Sequence, residues 1–157
     1  MGTEIERKFL VATSSWRSQI RRQFEIAQGY LSTDADRTIR VRICDEQGLL
    51  TIKGRPQGLV RREFEYDIPV EDARQLLAEF CDGHPIQKRR HEVDVGDHVW
   101  EIDVFSGANA GLVLAEVELE YPDEAIEIPP WVGDEVTGDV RYYNSRLVEE
   151  PYETWNQ

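Results

Sequence analysis

Cysteine is scarce in this chain: two residues in 157, Cys44 and Cys81, with no metal-site spacing and no secretory context. Both read as reduced thiols rather than as part of a disulfide framework. The three histidines, His84, His91 and His98, form no ligand cluster and are expected at the surface. There is no Walker loop, no HExxH and no Cys-rich zinc pattern. No apolar run approaches the roughly 20 residues of a membrane-spanning helix. The first residues, MGTEIERKFLV, lack the basic start and apolar core of a signal peptide, so the cytoplasm is the expected compartment. Basic residues are also in short supply, 18 Lys and Arg against 31 Asp and Glu, for a net charge of −13. Such a surface does not embrace nucleic acid, which needs cations gathered on one face.

What is present is a chain able to fold. It is 40% hydrophobic with four tryptophans, and 157 residues suit one domain spanning 1–157. Eight segments alternate with period 2: 3–11, 24–31, 37–44, 48–54, 61–68, 86–95, 98–106 and 112–121. Short turn-like stretches divide several of them, as antiparallel hairpins require. Helices are expected over 13–22, 70–81 and 142–149, with CDGHP as the stop of the second and 122–140 as loop with a short helix. The expected fold is therefore α+β, with eight antiparallel strands able to close into a barrel and helices packed outside.

The alternation places charge of both signs on one face. Glu4, Glu6 and Lys8 share a face of the first segment, Arg40 and Arg42 of the third, Thr51 and Lys53 of the fourth, and Glu63 and Glu65 of the fifth. Lys88, Arg90, Glu92 and Asp94 follow in the sixth, Glu101 and Asp103 in the seventh, and Glu116, Glu118 and Glu120 in the last. Solvation of that face is the ordinary meaning of such a pattern. Like charges at i, i+2 repel, however, and persist more readily with an opposite charge between them. Paired carboxylates suit a hard divalent cation, and paired Arg and Lys suit phosphate oxygens. With the charged face turned inward, Lys8, Arg40, Arg42, Lys53, Lys88 and Arg90 would complement a triphosphate of roughly four to five negative charges together with one or two divalent metals.

These residues carry a resemblance. EIERKF (Glu4, Glu6, Lys8) resembles the ExExK signature of the CYTH superfamily, the triphosphate tunnel metalloenzymes. TIRVR, LTIKG, REFEYDI, WEIDVF, GLVLAEVELE and VTGDVRYYNSRL resemble its short bacterial members in matching order, over nearly the whole chain. The resemblance implies an eight-stranded barrel forming a triphosphate tunnel, and hydrolysis of a small-molecule triphosphate with Mg2+ or Mn2+ as cofactor. Inorganic tripolyphosphate is the leading substrate. Class IV adenylate cyclase and thiamine or nucleoside triphosphatase stand as alternatives, and a polyphosphate- or metal-binding protein as a non-enzymatic one. Monomer and homodimer both remain open.

Carried over residue by residue, Glu4, Glu6, Glu116 and Glu118 resemble metal ligands, and Glu63 and Glu65 match a further acidic pair grouped with them. Lys8, Arg40, Arg42, Lys53, Lys88 and Arg90 match triphosphate-binding cations, with Lys88 also a candidate to stabilise the leaving group. Tyr30 resembles a tyrosine proposed as proton acceptor, with hydrogen bonding or packing as its alternative role. Glu101 and Asp103 either bind metal or orient arginines. The run Arg89, Arg90, His91 departs from the family's pattern, and leaves Arg89 and His91 facing outward with no transferred role.

Overall fold

The computed structural model describes residues 2–155. Nine strands, β1 (Thr3–Val11), β2 (Ile20–Ser32), β3 (Thr38–Cys44), β4 (Gln47–Lys53), β5 (Val60–Ile68), β6 (Asp82–Val95), β7 (His98–Phe105), β8 (Val113–Glu118) and β9 (Val132–Glu135), form one sheet in the order β5-β4-β3-β2-β6-β7-β8-β1-β9. Thr3–Ile5 of β1 also pairs with Val60–Arg62 of β5, which closes eight strands into an antiparallel barrel. The added strand β9 lies along Phe9 and Val11 of β1. Around the ring, β8, β1 and β5 are contiguous on one side and β3, β2 and β6 on the other, with β4 and β7 between them.

The outward faces supply one core. Phe9, Val93, Val95, Trp100, Ile102, Ala115 and Val117 pack with Trp16 and Trp131. A fully buried apolar side chain contributes about 1.5–3 kcal/mol, more for the largest. That is why segment 13–22 is not the expected helix: a 3-10 turn, Ser15–Gln19, suffices to insert Trp16, and Ile20 and Arg22 then pair with Val93 and Glu92 as the start of a longer β2. Over β3 and β4 the cover is α1 (Val70–Glu79), which carries Glu71 and Asp72 in its first turn, where a helix favours acid. Its buried Ala73 sits against Gly48, where a Cβ would meet the Ile68 carbonyl oxygen at 2.8 Å. The outer residues Ile52, Phe64 and Tyr66 stay exposed, so helices cover less of the barrel than expected.

A second core plugs one end. Tyr30, Ile86, Phe105 and Leu114 lie on the inward faces and pack with Leu112 and with Tyr142, Leu147 and Val148 of the C-terminal segment. That segment, expected as a helix over 142–149, is a 3-10 turn Val140–Tyr142 followed by the short α2 (Asn144–Leu147). The expected stop CDGHP instead begins β6, which starts at Asp82. Gly83, at φ +75°, passes so close to Val148 that a Cβ would lie 2.3 Å from its carbonyl oxygen. β8 ends at Glu118 rather than 121, and the Glu120 amide donates to Glu124 Oε1 at 2.6 Å. His91 is a correction too: it points outward as expected but is buried against the Trp16 ring. Among the described residues no helix is long and apolar enough to cross a membrane, and both cysteines are free.

Candidate functional site

Moving along the inward faces away from the plug, four strands switch from apolar to charged: Leu10 to Lys8, Glu6 and Glu4 on β1; Ile86 to Lys88 and Arg90 on β6; Phe105 to Asp103 and Glu101 on β7; Leu114 to Glu116 and Glu118 on β8. The result is a cavity of about 310 Å3 inside the barrel. It is lined by Glu4, Glu6, Glu63, Glu65, Glu116 and Glu118, by Lys8, Arg40, Arg42, Lys53, Lys88 and Arg90, and by Tyr30 and Glu101. Most side chains singled out from period 2 are thus brought together; Thr51 and Asp103 are buried without lining the cavity, and Glu92, Asp94 and Glu120 are not among the lining residues either. Glu92 and Asp94 bridge instead to Arg21, on the β2 extension.

The ring order segregates the charge. β8, β1 and β5 form an acidic wall; β3, β2 and β6 form a basic one opposite. On the basic wall, Asp103 is the organising anion. Its two oxygens accept from Arg90 Nε at 2.8 Å and Nη2 at 3.0 Å, and Lys88 Nζ lies 2.8 Å from Oδ2. Burial alone would raise the Asp103 carboxyl, but Arg90 and Lys88 outweigh it and hold it well below the usual carboxylate range. Asp103 therefore orients cations, and Glu101 adds a longer contact of 3.4 Å to Arg90. Even so, burial and the nearby Arg90 and Arg42 push Lys88 down to about 7 despite Asp103. Arg42 has no carboxylate within salt-bridge distance among the described residues; Gln28 Oε1 accepts from its Nε at 2.8 Å. Burial, Arg40 and Arg90 push its pKa down to about 9. Arg40 donates to Thr51 at 3.1 Å and reaches Glu65 at 3.4 Å, leaving its buried Nε without a partner. This wall holds more positive charge than its neighbours balance.

The acidic wall shows the reverse. Burial, then Glu116 and Glu4, raise the Glu6 carboxyl well above its ordinary value. Burial raises Glu63 as well, with Glu4 adding to it against the pull of Lys53. Glu4 is held below normal by Lys53, 2.8 Å away, against its own burial, and Glu116 by Lys8 and Arg90. The raised member of each pair is the donor when protonated, the Glu6 carboxyl to the Glu116 carboxylate and the Glu63 carboxyl to the Glu4 carboxylate. An oxygen-only donor set with excess negative charge fits a hard divalent cation. Among the described residues, however, no three acidic, His or Cys side chains converge as a ready ligand cage.

Period 2 left three lining or bridging residues unread. Arg61 lines the cavity, donating to Gly54 O at 2.7 Å and Thr38 Oγ1 at 3.1 Å; its i, i+2 relation to Glu63 was the available signal. Gln28 is wholly buried between Arg42 and the C-terminal segment, on a strand whose other inward residues are apolar. Asn144 opens α2, a single helical turn too short for periodicity to locate its side chain. Tyr30 packs in the plug with its hydroxyl 3.2 Å from Gln28 Nε2, and Lys8 Nζ donates to the Tyr142 carbonyl at 3.2 Å.

Comparison with known proteins agrees with this fold. The CYTH domain model matches residues 2–148. An inorganic triphosphatase of Acetivibrio thermocellus is 41% identical over 157 residues, the full length of both chains. One from Nitrosomonas europaea is 38% identical over 149 residues, 92% of this chain and 96% of that one. The crystal structure of the inorganic triphosphatase NE1496 superposes with a TM-score of 0.67 at 36% identity, over 92% of this chain and 97% of that one. With a family match over nearly the whole length and relatives this similar, the chain belongs to the CYTH domain family.

Proposed function

We propose that this protein is a metal-dependent triphosphatase that cleaves inorganic tripolyphosphate to pyrophosphate and phosphate. The observation that carries the reading is one cavity inside the barrel with uncompensated negative charge on one wall and uncompensated positive charge on the opposite one. Seven Lys and Arg and seven Glu line it. Neither a bare polyanion nor a bare cation suits such a balance as well as a metal–triphosphate complex, in which roughly four to five negative charges are largely offset. The full-length identity to inorganic triphosphatases supports the same substrate.

In this reading Arg40, Arg42, Lys88 and Arg90 hold the phosphate chain, with Lys53 between the walls and Lys8 on the acidic wall. Phosphoryl transfer asks chiefly for positioning and charge neutralisation, which fixed guanidinium groups supply. Asp103 keeps Arg90 and Lys88 aimed into the cavity, and Lys88 neutralises charge on the leaving group. Glu4, Glu6, Glu116 and Glu118, with Glu63 and Glu65 beside them, would hold Mg2+ or Mn2+. Bound there, the cation would offset charge on phosphate oxygens and lower the pKa of attacking water. Tyr30 keeps its hydroxyl on the Gln28 amide, a hydrogen-bonding role at the plug.

Tripolyphosphate is favoured over a nucleotide because the cavity offers a base no stacking platform. Its lining aromatics are Tyr30, packed in the plug, and Tyr143, which faces the Lys8 ammonium at 5.3 Å. The test is phosphate release from tripolyphosphate, ATP and thiamine triphosphate, each with Mg2+, with Mn2+ and after metal removal. Metal-dependent turnover with the highest kcat/KM for tripolyphosphate is expected. Cyclic AMP formed from ATP would move the protein to the cyclase reading.

A further inference from the structure

Gln28 lies on β2, the central strand of the basic wall, directly opposite Arg42 in register. Arg42 can only donate, so the Gln28 amide oxygen faces it, at 2.8 Å from Nε. The amide NH2 must then point the other way, where it donates to Tyr30 Oη at 3.2 Å and to Asn144 Oδ1 at 3.0 Å. Lys88, also donor-only, donates to the same Asn144 oxygen at 2.9 Å. A carbonyl oxygen has two lone pairs, and here both are taken. The Asn144 NH2 group is therefore directed away from Gln28 and Lys88. Asn144 is half-buried and lines the cavity, and no acceptor among the described residues meets its Nδ2.

We propose that Asn144 contacts the substrate, donating its side-chain NH2 to a phosphate oxygen, and that Gln28 is the positioning residue that fixes this orientation. The inference rests on the triphosphatase reading. Its physical logic follows from the crowding of cations on this wall. Another Lys or Arg here would repel Arg42 and Lys88, both already disfavoured as charges. A neutral amide adds a donor without adding like charge, and its oxygen ties the Lys88 ammonium to the C-terminal segment. That segment is then part of the site as well as the plug.

The test compares wild type with Asn144→Ala, Asn144→Asp and Gln28→Met. Each is measured for tripolyphosphate binding by calorimetry in EDTA, for kcat and KM with metal, and for melting temperature. Asn144→Ala should weaken tripolyphosphate binding about tenfold or more, the scale of a hydrogen bond to a charged group. Asn144→Asp keeps the shape and the acceptor for Lys88 but loses the NH2, so it should lose at least as much affinity as the alanine variant. Gln28→Met should give a smaller loss, in KM more than in kcat, because the Asn144 amide is then free to turn. Wild-type affinity in Asn144→Asp would show that only the oxygen matters and overturn the inference. So would unchanged affinity in Asn144→Ala with a lowered melting temperature, the mark of a packing role. Wild-type protein that neither binds nor hydrolyses tripolyphosphate would instead overturn the functional reading itself.

Discussion

The acidic and basic walls are built from the same alternation and end in opposite electrostatic states. On β8, β1 and β5, burial and mutual repulsion raise Glu6 and Glu63 above the ordinary carboxylate range. On β3 and β6, burial and mutual repulsion lower Arg42 and Lys88 below the ordinary range of their types. Other charges are satisfied within the protein: Asp103 holds Arg90, and Glu4 holds Lys53. Where internal pairing is complete, a charge positions its neighbour. Where it is incomplete, folding leaves an excess that a ligand of opposite sign relieves. Buried charges without full compensation are destabilising, so their retention on both walls points to binding rather than to stability.

The largest expected effect removes the ligand of the acidic wall outright. Stripping divalent metal should abolish phosphate release, Mg2+ or Mn2+ should restore it, and Zn2+ should do little without a His or Cys ligand set. Full turnover in metal-free protein would break the comparison at its acidic side. Next come Glu4→Gln and Glu116→Gln, each expected to lower kcat/KM by about a hundredfold or more, the loss typical of a missing charge-stabilising group. Glu6→Gln should lose activity while melting no lower than wild type, because it removes repulsion from a crowded, buried cluster. A marked drop in its melting temperature would assign Glu6 to structural pairing.

Smaller effects are expected on the basic wall. Arg42→Ala should weaken tripolyphosphate binding about ten- to a hundredfold, the equivalent of a lost charge-assisted hydrogen bond. Arg62→Ala should be nearly silent: that guanidinium lies over Phe64 on the outer face and donates to Gly2 O. Equal losses at both positions would show that the inside and outside of the barrel are misassigned.

The walls were legible in the sequence because strand side chains alternate, so one inward residue fixes the next at i+2. Glu4 leads to Glu6 and Lys8, and Arg40 to Arg42. That same rule misleads on β2. There Phe24, Ile26, Gln28 and Tyr30 share the inward parity, and the apolar members disguise the face to which Gln28 belongs. Chain outside the regular strands carried no comparable signal. The Trp16 turn resembled a helix because local pattern does not show that Ile20 and Arg22 find a partner in β6. Neither β9 nor the placement of Asn144 is written in any period; both follow from where the barrel leaves a free strand edge and an open end.

The most direct test of opposite excess charge is the proton balance of each ligand's binding, measured separately by calorimetry in buffers of different ionisation enthalpy between pH 6 and 8. Lys88 sits near pKa 7 in the free protein. An arriving polyanion favours its charged form and raises that pKa, so tripolyphosphate bound in EDTA should take up protons. Uptake should grow from pH 6, where Lys88 is already charged, to pH 8, where it is largely neutral. Lys88→Met should remove most of this uptake. Mg2+ or Mn2+ binding should do the opposite, because a cation favours the ionised form of the raised Glu6 and Glu63 carboxyls. Protons are then released, most at pH 6 and least at pH 8. Proton exchange of the same sign for both ligands, or none for either, would contradict the two-walled account.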